Sequence, residues 1–309
     1  MTSAAAAGTW QLGDLTVNRL GFGAMRLTGS GVFDRGTPSG RDRAVRVLRR
    51  AVELGVNHID TAAFYFSATR SANELINTAL APYPDELVIV TKVGPGRDPS
   101  GEWLPFATPH QLRGQVEENL RQLGRDHLDV VNLRMYGDNP LSEHFGVLAK
   151  LRDEGLIRHL GVSNVRPAHL AEAQAIAPVV CVQNRYGLDV RTPDNDELLR
   201  MCGEQGIAFV PFFAIAGAGR EDGAAPAEPE AVRTVARARG ATAAQVRLAW
   251  TLHRGRHVLA IPGTGNPDHL RANVAAGALR LSGDDLTTLN TLHQRQGGIQ
   301  AAADGSTGS

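Results

Sequence analysis

Between His58 and Lys92 the chain offers a carboxylate, a phenol and an amine: Asp60, Tyr65 and Lys92. They come from two apolar segments that read as successive strands, 56–60 and 86–92, with 71–80 as the helix between them. If the strands are parallel neighbours, all three groups lie at carboxyl-terminal strand ends or just beyond, where an α/β barrel does its chemistry. A phenol, with a pKa of about 10, is a poor proton donor at neutral pH unless a cation stabilises its anion. Lys92 supplies one: at ~4 Å and an effective dielectric of ~20 a unit charge is worth about 4 kcal/mol, or about three pKa units. Asp60 would hold that lysine charged inside a closed site. Taken singly, each has a plain structural explanation as a turn cap, a packed ring or a strand end. Together in one βαβ unit they point to general-acid chemistry.

This stretch resembles the aldo-keto reductases, whose signature sets Tyr five residues after Asp and ends the next strand in Lys, as Asp60, Tyr65 and Lys92 do here. The resemblance spans about residues 15 to 293, and GVSN, VQNRY and IPGT follow in family order. It implies a metal-free, NADPH-dependent reduction of a carbonyl, with NADH not excluded.

Acidic and basic residues balance at 32 each in 309 residues, so no global field argues for nucleic acid or an anionic membrane, and a small carbonyl compound is the expected partner. The two cysteines, Cys181 and Cys202, lack metal or redox spacing and suit a reducing compartment as buried thiols. The start has no basic region or apolar run for export, and nothing approaches ~20 uninterrupted apolar residues, so the chain reads as cytoplasmic.

These groups need a frame that brings strand ends together. A hairpin around Gly13-Asp14 precedes strands expected at 20–24, 56–60, 86–92, 128–134, 158–162, 179–183, 207–212 and 257–261. Helices are expected at 41–54, 71–80, 109–123, 142–154, 167–176, 194–205, 228–239, 242–253 and 267–277. Eight strand-helix units without a composition break favour one α/β domain over 9–296, a (β/α)8 TIM barrel with an N-terminal β-hairpin and an extra C-terminal helix. The competing fold, an open doubly wound sheet, would want a Gly-rich turn between the first strand and its helix. Residues 28–42 read as a loop on the catalytic face, and 1–8 and 297–309 as disordered tails.

Strand ends then list what lines the mouth. Gly21, Gly23 and Ala24, in LGFGAM, remove side chains where backbone must come close to something, and the resemblance places Gly23, Ala24 and Met25 against the cofactor. Strand four ends in Asn132 and Arg134, strand five in Ser163 and Asn164, and strand six in Gln183, Asn184, Arg185 and Tyr186. Amides and hydroxyls suit a neutral carboxamide better than a metal. In the resemblance Ser163, Asn164 and Gln183 grip the nicotinamide amide, with Asp60 alongside, and Phe212 stacks on the ring. Taken alone, GVSN also reads as a helix cap. IPGTGNPDHLRANV reads as strand, Gly-rich turn and helix N-terminus, a physical phosphate site as well as a routine loop. By resemblance Gly263, Thr264, His269, Arg271 and Asn273 meet the adenosine phosphates; the Lys and Arg that many members place at 263 and 269 are missing.

Two departures stand out. Where the family usually ends strand four in a catalytic His, this chain has Arg134, like a subset that includes pyridoxal reductases. Arginine keeps rigid donors and a permanent charge that can polarise a carbonyl. Phe66 replaces the Gly that commonly follows the catalytic Tyr and is expected to reshape the pocket wall. The contrasting reading is a cofactor-binding regulatory or sensor subunit with little turnover; retention of Asp60, Tyr65 and Lys92 speaks for an enzyme.

Overall fold

Successive side chains along a strand face opposite ways, so a barrel strand must satisfy the interior and the helix layer with alternate residues. The computed structural model, which describes residues 2–29, 40–215 and 228–292, shows how this sequence does so. Most of the expected loop at 28–42 and all of the expected tail at 297–309 lie outside the described residues.

Strands β1 (Thr9–Leu12) and β2 (Leu15–Asn18) form the antiparallel hairpin. Then come β3 (Phe22–Gly23), α1 (Arg41–Glu53), β4 (His58–Asp60), a small hairpin of β5 (Phe66–Ser67) with β6 (Arg70–Ser71), and α2 (Ala72–Leu80). The alternation continues through β7 (Val88–Val93), α3 (Pro109–Leu123), β8 (Leu128–Arg134), α4 (Ser142–Asp153), β9 (Ile157–Ser163), α5 (Pro167–Gln174) and β10 (Val179–Gln183). It ends with α6 (Pro193–Gln205), β11 (Ala208–Phe209), α7 (Glu230–Arg239), α8 (Ala243–His253) and α9 (Pro267–Ala275), and residues 283–292 add the extra helix.

The main sheet runs β3-β4-β7-β8-β9-β10-β11, every pair parallel. Residues 258–260 close it, because Val258 bridges Phe209 and Ala260 bridges Leu20. Leu259 N donates to Phe209 O at 2.9 Å and Gly21 N to Ala260 O at 2.8 Å. The strand expected at 257–261 is thus two bridges long, yet it makes the sheet a closed (β/α)8 barrel rather than an open one.

Inside, Val88, Val90, Val130, Cys181, Ala208, Val210 and Leu259 pack with Leu12 and Val17, so the hairpin plugs the end where the strands begin. Their strand neighbours Ile89, Val131, Leu160, Val162, Val182 and Phe209 face the helices. Both cysteines are free and buried, and burial pushes each thiol up to about 12. Among the described residues no helix is long and apolar enough to cross a membrane.

The N-terminus differs from expectation. Instead of a disordered tail at 1–8, Ala4–Ala7 form a short 3-10 turn capped by Ser3, and Ala4 N donates to Leu54 O at 2.8 Å. An alanine run reads as low complexity, but its small side chains let Ala7 lie against Gly277, where even one added Cβ would come within 3.1 Å. Arg19 ties this turn to the closing strand, donating to Ala7 O at 3.2 Å and Val258 O at 3.1 Å.

His58 occupies the interior one alternation below Asp60, fully buried, with its ring against Gly21; a Cβ there would come within 2.2 Å. Burial pushes its pKa down to about 4, against a weaker effect of the backbone at Asn18, which favours the proton. The unfolded chain therefore binds more protons than the native one between the two pKa values, and stability must fall as pH drops through that window. Between pH 6.5 and 4, wild type should lose about 3 kcal/mol more unfolding free energy than His58→Phe. Urea titrations at several pH values measure this, and parallel pH dependences would refute it.

Candidate active site

Strand alternation puts the apolar members of each inward row deep in the barrel and the polar members at the carboxyl-terminal end. Lys92 follows Val88 and Val90 on the same face, Asn132 follows Val130, and Gln183 follows Cys181. Register aligns them: Lys92 pairs with Asn132, Arg134 with Ser163, Gln183 with Ser163, and Asp60 with Gly23.

The Lys92 ammonium donates to Asp60 Oδ1 at 2.7 Å, to Asp60 Oδ2 at 2.8 Å and to the Thr61 carbonyl at 2.9 Å. These three acceptors match the three protons of the ammonium and hold it in place. Its Nζ lies 5.0 Å from the centroid of the Tyr65 ring. Lys92, Asp60 and Tyr65 are only 2%, 4% and 5% exposed, which keeps water from screening the cation at the phenol. Gln183 Nε2 completes the carboxylate's partners, donating to Asp60 Oδ2 at 2.7 Å.

That contact was not foreseen, because it joins residues 123 apart in sequence. Also unforeseen is the outward-facing amide network behind the ion pair. Thr61 Oγ1 donates to Asn73 Oδ1 at 2.7 Å, Asn73 Nδ2 to Asn119 Oδ1 at 3.0 Å, and Thr91 Oγ1 to the same oxygen at 2.6 Å. It fixes Thr61, whose carbonyl accepts from Lys92. Asn73 and Asn119 on the buried faces of α2 and α3 were the available signal.

Other candidates fall into three groups. Ser163 Oγ and Gln183 Oε1 are buried without a partner, a hydroxyl and a carbonyl on register-paired residues. The helix-cap alternative for GVSN fails: the residue before α5 is Arg166, while Asn164 adopts a left-handed φ of 57° and donates from Nδ2 to Met135 O at 3.0 Å. Asn tolerates that conformation better than most residues. Gly23 and Gly263 meet each other, since a Cβ on Gly263 would lie 2.4 Å from Gly23 O. The close approach there is between β3 and the turn after residues 258–260, and it brings Gly23, Ala24 and Met25 beside Thr264. Thr264 Oγ1 accepts from Asn266 N at 3.0 Å, and Asn266 caps α9, with His269 and Arg271 exposed and Asn273 buried. Arg134 lies over the ring of Phe212, 5.2 Å from its centroid, which sets the charge at the mouth by a cation–π contact.

Two residues named as mouth residues are not there. Tyr186 is buried, stacked on Trp250, with its hydroxyl donating to Asp196 Oδ1 at 2.8 Å. Asn184 holds the backbone of Val165, accepting from its N–H at 3.0 Å and donating to its carbonyl at 2.7 Å.

Residues 19–294 match the Aldo/keto reductase family. The chain belongs to this family. It is 46% identical to pyridoxine 4-dehydrogenase of Escherichia coli (strain K12), over 91% of this chain and 97% of that protein. Among solved structures, a thermostable aldo-keto reductase in complex with the inhibitor epalrestat superposes with a TM-score of 0.76 at 29% identity, covering 92% of this chain and 99% of the other. An aldo-keto reductase from Klebsiella pneumoniae in complex with NADPH gives 0.73 at 28% identity, with 90% and 91% covered.

Removing one member of a buried ion pair leaves the other charge uncompensated, at a cost of about 3–5 kcal/mol. Asp60→Leu should therefore destabilise the fold by that amount, and Asp60→Leu with Lys92→Met together should recover much of it. Denaturant titration of the two variants checks this; a double variant no more stable than Asp60→Leu would contradict it.

Proposed function

We propose that this aldo-keto reductase is an NADP(H)-dependent oxidoreductase that reduces an aldehyde or ketone to an alcohol, with Tyr65 as the acid. The observation that carries the reading is the buried Asp60–Lys92 pair with the Tyr65 ring 5.0 Å from the ammonium. When bound, the reduced nicotinamide supplies a hydride to the carbonyl carbon. Tyr65 gives its phenolic proton to the oxygen, and the fixed ammonium of Lys92 stabilises the phenolate left behind. Asp60, held by Gln183, keeps Lys92 charged and in place.

The residues present fit this cofactor. A carboxamide has one acceptor and one donor group, and Ser163 Oγ and Gln183 Oε1 are a buried hydroxyl and carbonyl with no other partner. Asn164 would join them, Phe212 would stack on the nicotinamide ring, and Gly23, Ala24 and Met25 would line its approach. The N-terminus of α9, with Gly263, Thr264, His269, Arg271 and Asn273, would take the adenosine phosphates. Arg271 is the cation that favours NADPH over NADH. The few, buried thiols suit the cytoplasm.

Arg134 is the carbonyl-polarising group in place of histidine. A charge that never titrates suits a substrate whose aldehyde neighbours a phenolate, and pyridoxal is such a compound; the pyridoxine 4-dehydrogenase relative supports that choice. A sensor role is less favoured, since binding a nucleotide gives no reason to bury Asp60, Lys92 and Tyr65 together.

Tyr65→Phe should lower kcat for NADPH-dependent reduction by ~10²- to 10⁴-fold while NADPH affinity stays nearly unchanged. Stopped-assay turnover and fluorescence titration test the two halves, and turnover near wild type would remove Tyr65 as the acid. Arg134→Met should reduce kcat/KM by about tenfold or more, about 1.4 kcal/mol of transition-state stabilisation, with Arg134→His recovering part of it. The loss should be larger for pyridoxal than for an uncharged aromatic aldehyde; equal kcat/KM in wild type and the Met variant would leave Arg134 a structural residue.

A further inference from the structure

Arg97, in the segment that follows β7, takes no part in the site described so far, yet it reaches the loop that carries Tyr65. Its NH1 donates to the Phe66 carbonyl at 2.9 Å and, at 3.4 Å, to the Phe64 carbonyl. Those two carbonyls stand on either side of Tyr65. Its Nε donates to Gly101 O at 2.8 Å, and the guanidinium plane lies over the Phe66 ring, 4.7 Å from the centroid. The centroid of the Trp103 ring, 41% exposed, lies 5.8 Å from the guanidinium carbon.

The segment 96–104 closes without this reach. Asp98 N donates to Glu102 O at 2.9 Å, Gly101 N to Asp98 O at 2.8 Å, and Leu104 N to Gly96 O at 2.9 Å. The bonds to Phe64 and Phe66 are therefore additional and serve the Tyr65 loop. The loop's other ties are local: Tyr65 N donates to Ala62 O at 3.0 Å, Ala72 N donates to Tyr65 O at 2.9 Å, and Phe66 pairs with Ser71 in the β5–β6 hairpin. Phe64 packs edge-on to the Tyr65 ring at 5.1 Å and against Trp103 at 5.7 Å, so ring contacts run from the exposed rim to the phenol.

We propose that Arg97 is a positioning residue for Tyr65, bracketing it through both flanking carbonyls, and that Phe66 stands where the family commonly has Gly because Arg97 stacks on it. The proposal rests on the reading of Tyr65 as the acid. A planar fork can lie flat on a ring while donating in that plane, which an ammonium cannot. Misplacing a reacting group by about 1 Å can cost ~100-fold in rate, so an anchor remote from the reacting atoms can control turnover without touching substrate or cofactor.

The test compares wild type with Arg97→Met and Arg97→Lys by steady-state kinetics with pyridoxal and an uncharged aromatic aldehyde. NADPH titration and hydrogen exchange over residues 62–67 accompany it. Arg97→Met should lower kcat ~10- to 100-fold for both aldehydes, with the NADPH dissociation constant within about twofold and faster exchange at 62–67. Arg97→Lys should fall between, because it keeps a donor for the two carbonyls but loses the bond to Gly101 and the stack. Wild-type kcat in Arg97→Met, or a parallel loss of NADPH affinity, would overturn the proposal. If wild type reduces neither aldehyde, the assignment of Tyr65 as acid fails instead. The exchange measurement still decides the clamp, and unchanged exchange at 62–67 overturns it.

Discussion

A lysine ammonium sealed inside a protein has to be neutralised where it sits, and that requirement organises the mouth of this barrel. Lys92 meets it with both oxygens of Asp60 and one carbonyl, leaving no proton of the ammonium unclaimed. Gln183 adds a further donor to Asp60 and ties β4 to β10 across the barrel. Such an arrangement does little for stability compared with apolar packing, because desolvating two charges offsets most of their attraction. What it gains is a charge held 5.0 Å from the centroid of the Tyr65 ring, where solvent barely reaches to screen it.

Holding that charge still falls to groups on the outer face of the same strands. Thr61 and Thr91 alternate with Asp60 and Lys92, so they point into the helix layer, where Asn73 and Asn119 receive them. Each of these two strand ends thus carries a charged group inward and an amide-bonded anchor outward. The interior rows show the same economy along the strand: aliphatic residues fill the barrel below, and the last inward position is polar. His58 is the exception, a polar ring placed where its neighbours are aliphatic, accommodated because Gly21 has no side chain.

Much of this is legible in sequence because it is local. Asp60, Tyr65 and Lys92 sit at strand ends that periodicity locates, and repeated βα units imply closure before the closing bridges at Val258 and Ala260 are seen. What escapes depends on contacts between distant segments or on rotation about the chain. VQNRY reads as one polar row, but Tyr186 turns into the core and Asn184 into the backbone of Val165, leaving only part of it at the mouth. Ala4–Ala7 read as a tail because alanine carries no pattern, although its smallness is what lets it pack. The missing side chains of Gly23 and Gly263 also serve a contact that no local pattern announces, since a Cβ on Gly23 would lie 2.6 Å from Ile261 O and one on Gly263 would lie 2.4 Å from Gly23 O.

Two residues that the sequence singles out, Arg134 and Phe66, share one physical device. Arg134 lies over Phe212 and Arg97 over Phe66, so two guanidinium groups at the mouth are each supported on an aromatic face. Stacking restrains the plane of the guanidinium, and the plane determines where its donors point. A histidine at 134 would be oriented by its own ring; an arginine has a long flexible stem and needs an external surface to hold it. The Phe66 ring likewise gives the Arg97 guanidinium a face to rest on, 4.7 Å from its centroid. Arg97 over Phe66 and Arg134 over Phe212 are therefore two uses of the same solution, in which a ring face supplies the rigidity that a guanidinium on a long stem lacks.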